Sequence, residues 1–337
     1  MSLLLLCCLL LFLSAALTGL FRWLAPRLRL IDVPVSRSAH SNPVPVGGGI
    51  SIVVLIVLVV VYNYATGQIP AQEFAALITG FVIACLGIAD DIKQLHIRWR
   101  LPAQFLASIY VVYSLGDVPA IDFGLFMFPE SFLLNTLAVF ALVWLLNLFN
   151  FMDGIDGIAA LELISASLLS LVIVQNSDDV LSLVSASFAA VAGGFLLWNW
   201  APAKIFMGDV GSSFIGFMLG VLALLSMFHG TMTVWTWVLL LGVFIVDATL
   251  TLIVRAKNGQ RWYEGHASHA YQNAARHYKS HGKVTITVLV INFFWLGPLA
   301  WLSVQYPQMG LFITLVGLIP LLLLARRFGA GKENFTI

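Results

Sequence analysis

The chain has 337 residues, of which 60% are hydrophobic and only 10% charged, and its net charge is +1. A soluble fold of this length could not hide so much apolar surface in one core. So balanced a charge also provides no basic field for nucleic acid. The composition therefore points to an all-α integral membrane protein, since spanning helices satisfy their backbone groups internally.

A spanning helix takes roughly 20 apolar residues. Eleven segments are predicted to span, at about 3–21, 47–64, 73–90, 101–116, 132–150, 158–175, 180–198, 212–228, 232–254, 284–304 and 309–326. The first segment lacks a basic leader, and Arg22 follows it, so it reads as a retained span and not a cleaved signal. Cys7, Cys8 and Cys85 sit in apolar stretches without metal spacing and read as packing residues. No internal repeat or low-complexity linker divides the chain, which reads as one polytopic domain over 1–337.

The loops alternate in charge. All seventeen Lys and Arg fall on one side of the ladder, from Arg22, Arg27, Arg29 and Arg37 through Lys93, Arg98, Arg100 and Lys204 to the groups at 255–283 and 326–332. The intervening loops, around 68–73, 116–131, 176–179, 229–231 and 306–310, hold none. The positive-inside rule then places the C-terminus in the cytoplasm and, with eleven spans, the N-terminus outside. The basic-side loops at 22–46, 90–100, 150–157, 199–212 and 255–283 also carry most of the polar motifs.

In the first of these loops, Asp32, Pro34, Ser36, Arg37 and His40 precede Pro43, Pro45 and Gly47-Gly48-Gly49. Prolines stiffen the approach, and the glycines allow either close backbone contact or a rigid turn before the next helix. The second holds Asp90-Asp91 at a predicted helix end. Adjacent carboxylates at a membrane boundary suit a cation, a base, or a solvated end beside Lys93. The third is the most specific. Asn147, Asn150, Asp153 and Asp156 recur every three residues, a polar stripe on a helix, and Gly154 and Gly157 are expected to break that helix. Carboxylate and amide oxygens are hard ligands suited to Mg²⁺; the bland alternative is polar glue between helices.

The fourth loop has Asn199, Lys204, Phe206 and Asp209, then Gly211-Ser212-Ser213. Those last amides suit either an anion at a helix N-terminus or a simple cap. In the fifth, Glu264, His266 and His269 lie among Arg255, Arg261 and Arg276, with a short amphipathic helix predicted over 268–279. Two histidines three apart lack a third ligand at zinc spacing, but with arginine they suit phosphate recognition. Asp247, inside the ninth segment, lies about 12 Å along a helix axis from Arg255, which disfavours direct pairing; it could equally sit at the edge of a cavity.

From 32 to 272, these motifs in this order resemble the polyprenyl-phosphate N-acetylhexosamine-1-phosphate transferases, the glycosyltransferase family 4 of WecA and MraY. Asp90-Asp91, the Asn147 to Gly157 stretch and the Phe206-Met207-Gly208-Asp209 block each look like a family motif. Eleven spans with an outside N-terminus look like the WecA branch. The last loop departs from the family's denser histidine cluster and is similar to the subgroup that starts O-antigen chains, some members of which use 6-deoxy-N-acetylhexosamines.

The resemblance implies a bacterial inner-membrane enzyme whose site faces the cytoplasm. It would move a sugar 1-phosphate from a UDP-N-acetylhexosamine to undecaprenyl phosphate and release UMP, with Mg²⁺, or Mn²⁺ in its place. It implies Asn150 and Asp209 as metal ligands, Asp90 and Asp91 at the acceptor phosphate, and Asp153 and Asp156 as catalytic carboxylates toward the nucleotide. Asn199, Lys204, Phe206, Arg261, His266 and His269 are the implied substrate-binding residues. The expected partners are the lipid, the nucleotide sugar, the membrane and a second copy of the chain in a homodimer. A multispanning secondary transporter is the main alternative, but it calls for polar residues at the bilayer midplane. An intramembrane aspartyl protease would need Gly-x-Gly-Asp, and a CDP-alcohol phosphotransferase a different Asp-Gly pattern; both are absent.

Overall fold

The structure is a computed structural model that describes residues 2–34, 42–175, 178–261 and 266–332. Ser36, Arg37 and His40 of the first loop and Glu264 of the fifth lie outside the described residues.

Helices dominate. In chain order they are α1 (Leu3–Leu24), α2 (Ile50–Ala65), α3 (Ala71–Lys93), α4 (Ile97–Leu115), α5 (Phe132–Met152), α6 (Ile158–Val174) and α7 (Asp179–Asn199). There follow α8 (Asp209–Phe228), α9 (Val234–Leu240), α10 (Gly242–Lys257), α11 (Ala270–Tyr278), α12 (His281–Ile291), α13 (Gly297–Gln305) and α14 (Gly310–Arg327). A π-helical turn, Asn292–Leu296, carries α12 into α13. Two small antiparallel ribbons complete the described fold: β1 (Ile31–Asp32) with β2 (Val44–Pro45), and β3 (Ile121–Asp122) with β4 (Met127–Phe128).

Each of the eleven apolar segments falls on helix. Among the described residues seven helices are long and apolar enough to cross a membrane, or eight if one bent pair counts as a span. That pair corrects a sequence expectation. The segment at 232–254, expected as one helix, breaks at Leu241 into α9 and α10, which meet at 81°. Gly242 sits at the break, where a Cβ would come 2.9 Å from Leu318. The cysteines differ from expectation too: Cys8 and Cys85 lie on the outer surface of the bundle, and only Cys7 is partly buried.

The bundle has a centre and a rim. Eighty-nine per cent of the apolar window of α8 is buried against 17% for α1, so α8 is the central post and α1 an outer helix. Because lipid is as apolar as leucine, small residues and hydroxyls hold such helices together, at about 0.6 kcal/mol per hydrogen bond. Gly194 lets α7 meet the backbone of α1, and Ser14 donates to the Val191 carbonyl (2.6 Å). Thr18 bonds Ser51 of α2 (2.7 Å), and Ser170 bonds Ser185 between α6 and α7 (3.0 Å).

The antiparallel run of helices places all described Lys and Arg at one end. At the other end, His229 after α8 joins Asp178 (2.6 Å) and Glu73 of α3 (3.1 Å). Burial alone would lower its imidazole, but the hydrogen bond and charge of Asp178, with Glu73, raise it above the usual value.

Candidate active site

The polar motifs converge at the basic end because glycines let three backbones touch there. Gly87 on α3 faces the Asp209 carbonyl and the Val210 amide so closely that a Cβ would sit 2.6 Å from each. Gly49 packs on the backbone of Gly211. The 45–49 stretch pairs with the 206–207 stretch: Phe206 N–H donates to the Pro45 carbonyl (2.8 Å), Gly48 N–H to Phe206 (2.9 Å) and Gly49 N–H to Met207 (2.9 Å). The Gly-rich loop is therefore spent on the protein's own backbone.

These contacts bring α3 against the start of α8. Asp91 accepts the N–H groups of Asp209 (2.9 Å) and Val210 (3.1 Å), supplying from a neighbouring helix the anion that a helix N-terminus favours. The amides of Gly211 and Ser212 bond back to Gly208, so the anion held at this terminus is Asp91 itself. Asp90 is engaged on both oxygens, by the Leu95 N–H (2.6 Å) and by the Arg100 guanidinium. The left-handed Gln94 ends α3 and wraps the chain around that carboxylate. Arg100, on the first turns of α4, also reaches Asp209 at 3.6 Å.

The third motif meets this cluster from α5. The helix ends at Met152, as the glycines led one to expect, and Gly157 takes a positive φ of 78° before α6. Asn147 binds Gln104 of α4 (3.0 Å), and Asn150 binds Ser212 of α8 (3.3 Å) and lies within hydrogen-bonding reach of Asp209. Asp153 lines the cleft and is half-buried. Burial, then the charges of Asp209, Asp156 and Asp91, push it well above the usual carboxylate range. Asp156 accepts the Ala203 N–H (3.1 Å) and contacts His281 Nδ1 (3.2 Å). Asn199 is buried and works as a clamp, accepting from Gly157 N–H (3.0 Å) and donating to the Ile205 carbonyl (3.0 Å).

The result is a cleft of about 640 Å³ lined by Asp90, Asp91, Arg100, Asn150, Asp153, Asp156, Asn199, Phe206, Asp209 and His266. A second cavity of about 890 Å³ adjoins it past Asp156, Phe206 and His281, with Trp200, Arg276 and Lys279 on its wall. A third opening, a groove of about 720 Å³, shares Arg100, Asn150, Asp153 and His266 with the cleft. It runs between α4 and α5 over Leu101, Phe140, Val143 and Trp144, and His269 lines it.

Of the twelve residues singled out from sequence, nine line the main cleft and His269 lines the groove. Lys204 and Arg261 do not join them. Both are exposed, and the Lys204 ammonium sits 5.6 Å from the centre of the Trp198 ring. Arg100 and His281 are site residues that sequence reasoning passed over. The only signal for Arg100 was its place ten residues after Asp90, and His281 stood alone at the edge of the last loop.

Residues 73–227, from α3 through α8, match the family model described as glycosyl transferase family 4. A decaprenyl-phosphate N-acetylglucosaminephosphotransferase of Mycobacterium tuberculosis is 30% identical over 333 residues, covering 84% of this chain and 77% of its own length.

The chain belongs to glycosyl transferase family 4.

A Bacillus subtilis protein named "Probable undecaprenyl-phosphate N-acetylglucosaminyl 1-phosphate transferase" is 28% identical over 326 residues, 95% of this chain and 90% of that one. A phospho-N-acetylmuramoyl-pentapeptide-transferase of Prochlorococcus marinus is 27% identical over 244 residues, covering 65% and 64%. The family 4 match takes in every cleft carboxylate from Asp90 to Asp209 and stops before His266 and His269. Residues 1–72 and 228–337, among them Gly49, His266 and His269, lie outside the match.

Proposed function

We propose that this chain transfers a sugar 1-phosphate from a UDP-N-acetylhexosamine, or its 6-deoxy form, to undecaprenyl phosphate, giving undecaprenyl-diphospho-sugar and UMP. The observation that carries this reading is the joining of two openings at one carboxylate cluster: a polar cleft and an apolar-walled groove between membrane helices, sharing Arg100, Asn150 and Asp153. A soluble nucleotide sugar and a membrane-held phosphate can meet only at such a junction.

The membrane arrangement follows from the same reading. Eleven spans are α1 to α8, the bent α9–α10 pair, α12 with α13, and α14, with the N-terminus outside and the C-terminus in the cytoplasm. The one-sided distribution of Lys and Arg supports this orientation, in which the cleft would open at the cytoplasmic face of a bacterial inner membrane. The reaction would be a first membrane step of O-antigen or related envelope polysaccharide synthesis, on the WecA branch of the family.

The donor set suits a hard dication by its chemistry. Asp90, Asp91, Asp153, Asp156 and Asp209 line one cleft together with Arg29 and Arg100, and burial, followed by the charges of Asp209, Asp156 and Asp91, pushes Asp153 well above the usual carboxylate range. No group of three His, Cys, Asp or Glu stands ready to close on a metal among the described residues. Mg²⁺ does not require one, since it is commonly held by one or two carboxylates, waters and substrate phosphates. Asp209 and Asn150 would hold Mg²⁺, or Mn²⁺, and the ion would neutralise charge on the phosphates.

The protein's own groups then divide the work. Asp91 fixes the start of α8 and so places Asp209. Asp90 orients Arg100 beside the site, where a guanidinium suits a phosphate oxygen. A phosphate monoester is already largely ionised at neutral pH, so no strong base is called for. Phe206 and Asp156, on the wall shared with the second cavity, are placed for the nucleotide. Purified protein given undecaprenyl phosphate, Mg²⁺ and labelled UDP-N-acetylhexosamines should yield a solvent-extractable labelled lipid. Label that stays water-soluble with every donor would overturn the reading.

A further inference from the structure

Asp247 is a buried carboxylate that the proposed reaction leaves without a role. The bend between α9 and α10 swings it under the 266–271 loop, and there it accepts three hydrogen bonds and contacts His269. Its Oδ1 takes the Ala270 N–H (2.9 Å) and the Thr251 hydroxyl (3.1 Å) and lies 3.3 Å from His269 Nδ1, and its Oδ2 takes the Tyr271 N–H (2.8 Å). Both residues of the Asp247–His269 pair are almost wholly buried. Helix α11 therefore starts on a carboxylate borrowed from α10, in the same way that α8 starts on Asp91.

Two connections run from this carboxylate to the site. Through Nδ1 it sets the ring of His269, leaving Nε2 as the nitrogen for the groove that His269 lines beside Asn150 and Asp153. Through Tyr271 it holds the end of α5. Burial, with Asp247 and Asp153 close by, pushes the Tyr271 hydroxyl well above its usual range, so it stays protonated and donates to the Phe151 carbonyl (2.9 Å), two residues before Asp153. The loop is braced elsewhere by Gly331 N–H on the Ser268 carbonyl (2.8 Å) and by Arg255 on the Ser268 hydroxyl (3.2 Å), while the His269 ring packs on His266 and contacts Asp247 through Nδ1.

We propose that Asp247 is a positioning residue of the transfer reaction: it holds His269 as the Nδ1–H form so that Nε2 alone is presented to substrate in the groove. This rests on the sugar 1-phosphate transfer reading for its kinetic consequence, but not for its geometry.

The test has two arms. In protein labelled with ¹⁵N-histidine, long-range proton–nitrogen spectra should show His269, assigned by its loss in His269→Gln, carrying a proton on Nδ1. A bare Nδ1 with the proton on Nε2 would overturn the proposal, and this arm needs no activity and no Asp247 variant. In the second arm, Asp247→Asn should lower kcat/KM about 10- to 100-fold, the usual range for a residue that orients another. In a His269→Gln background the same change should matter by about 2-fold or less, because the two residues act as one unit. An equal loss in both backgrounds would mean that Asp247 serves only to hold the fold, and would also overturn it. If wild-type protein turns over no donor, the reaction reading fails while the spectroscopic arm still decides the proposal.

Discussion

Asp91 on α3 holds Asp209 on α8 by the backbone: its carboxylate accepts the Asp209 N–H at 2.9 Å and the next N–H at 3.1 Å. The second carboxylate of the pair is thus a cap for the helix that begins with the proposed metal ligand. Asp91→Asn keeps one accepting oxygen and turns an amide toward a donor. It should cost about 1 kcal/mol of stability, as lost caps do. By letting Asp209 drift, it should also cost roughly 100-fold in turnover. Thermal unfolding in detergent and initial rates check both, and normal rates with a weakened fold would confine Asp91 to a structural role.

Gly87 makes that relationship sterically achievable. A methyl group there would lie 2.6 Å from the Asp209 carbonyl oxygen and from Val210 N, so α3 and α8 would have to part. Gly87→Ala should destabilise by about 1–3 kcal/mol, the usual cost of overpacking, and take turnover down with it. Gly193→Ala is the control, because its added Cβ meets only a Leu11 methyl at an ordinary 3.5 Å. Equal tolerance of the two changes would contradict the close-approach account.

Proton and metal should compete at Asp153. Its carboxyl is held well above the usual value of 3.8, first by burial and then by Asp209, Asp156 and Asp91. The folded metal-free protein therefore binds a proton that the unfolded chain gives up. That contribution to stability is complete below the unfolded pKa and is lost as pH rises through the raised folded value. A dication in the cleft would expel the same proton, so stabilisation by Mg²⁺ should grow with pH. Unfolding temperatures across pH, with and without Mg²⁺, test this. Asp153→Asn should flatten the metal-free curve, and a Mg²⁺ effect independent of pH would contradict it.

Much of this was legible in the sequence, because the signals were local. The spacing of Asn147, Asn150, Asp153 and Asp156, with glycines after it, specified a polar helix face and its end, and α5 ends there. The apolar segments located the helices. What stayed hidden was every feature set by a partner far along the chain. Nothing local says that Asp247 caps α11, 23 residues on, or that the chain bends at Leu241, which depends on packing of Gly242 against Leu318 and Leu296. The glycines at 47–49 were legible as a close approach, but not as an approach to Gly211.

Lys204 shows the limit from the other side. Its position in a motif suggested a phosphate, yet its exposed side chain lies over Trp198, away from the cleft lining. Lys204→Gln should leave KM for the nucleotide sugar within about 2-fold, as surface changes usually do. Arg100→Gln, which strips Asp90 and Asp209 of their cation, should cut turnover sharply. A large KM effect from Lys204 and none from Arg100 would reverse the assignment.

The central claim is that one carboxylate cluster joins a soluble nucleotide sugar to a membrane-held phosphate. It is tested most directly by UMP release from a panel of UDP-N-acetylhexosamines, with Mg²⁺, in the presence and absence of undecaprenyl phosphate, for wild type and Asp209→Asn. The account expects wild type to release UMP from at least one donor only when the lipid is present, and a folded Asp209→Asn protein to release none. UMP release that ignores the lipid, or near-normal release by Asp209→Asn, would contradict it.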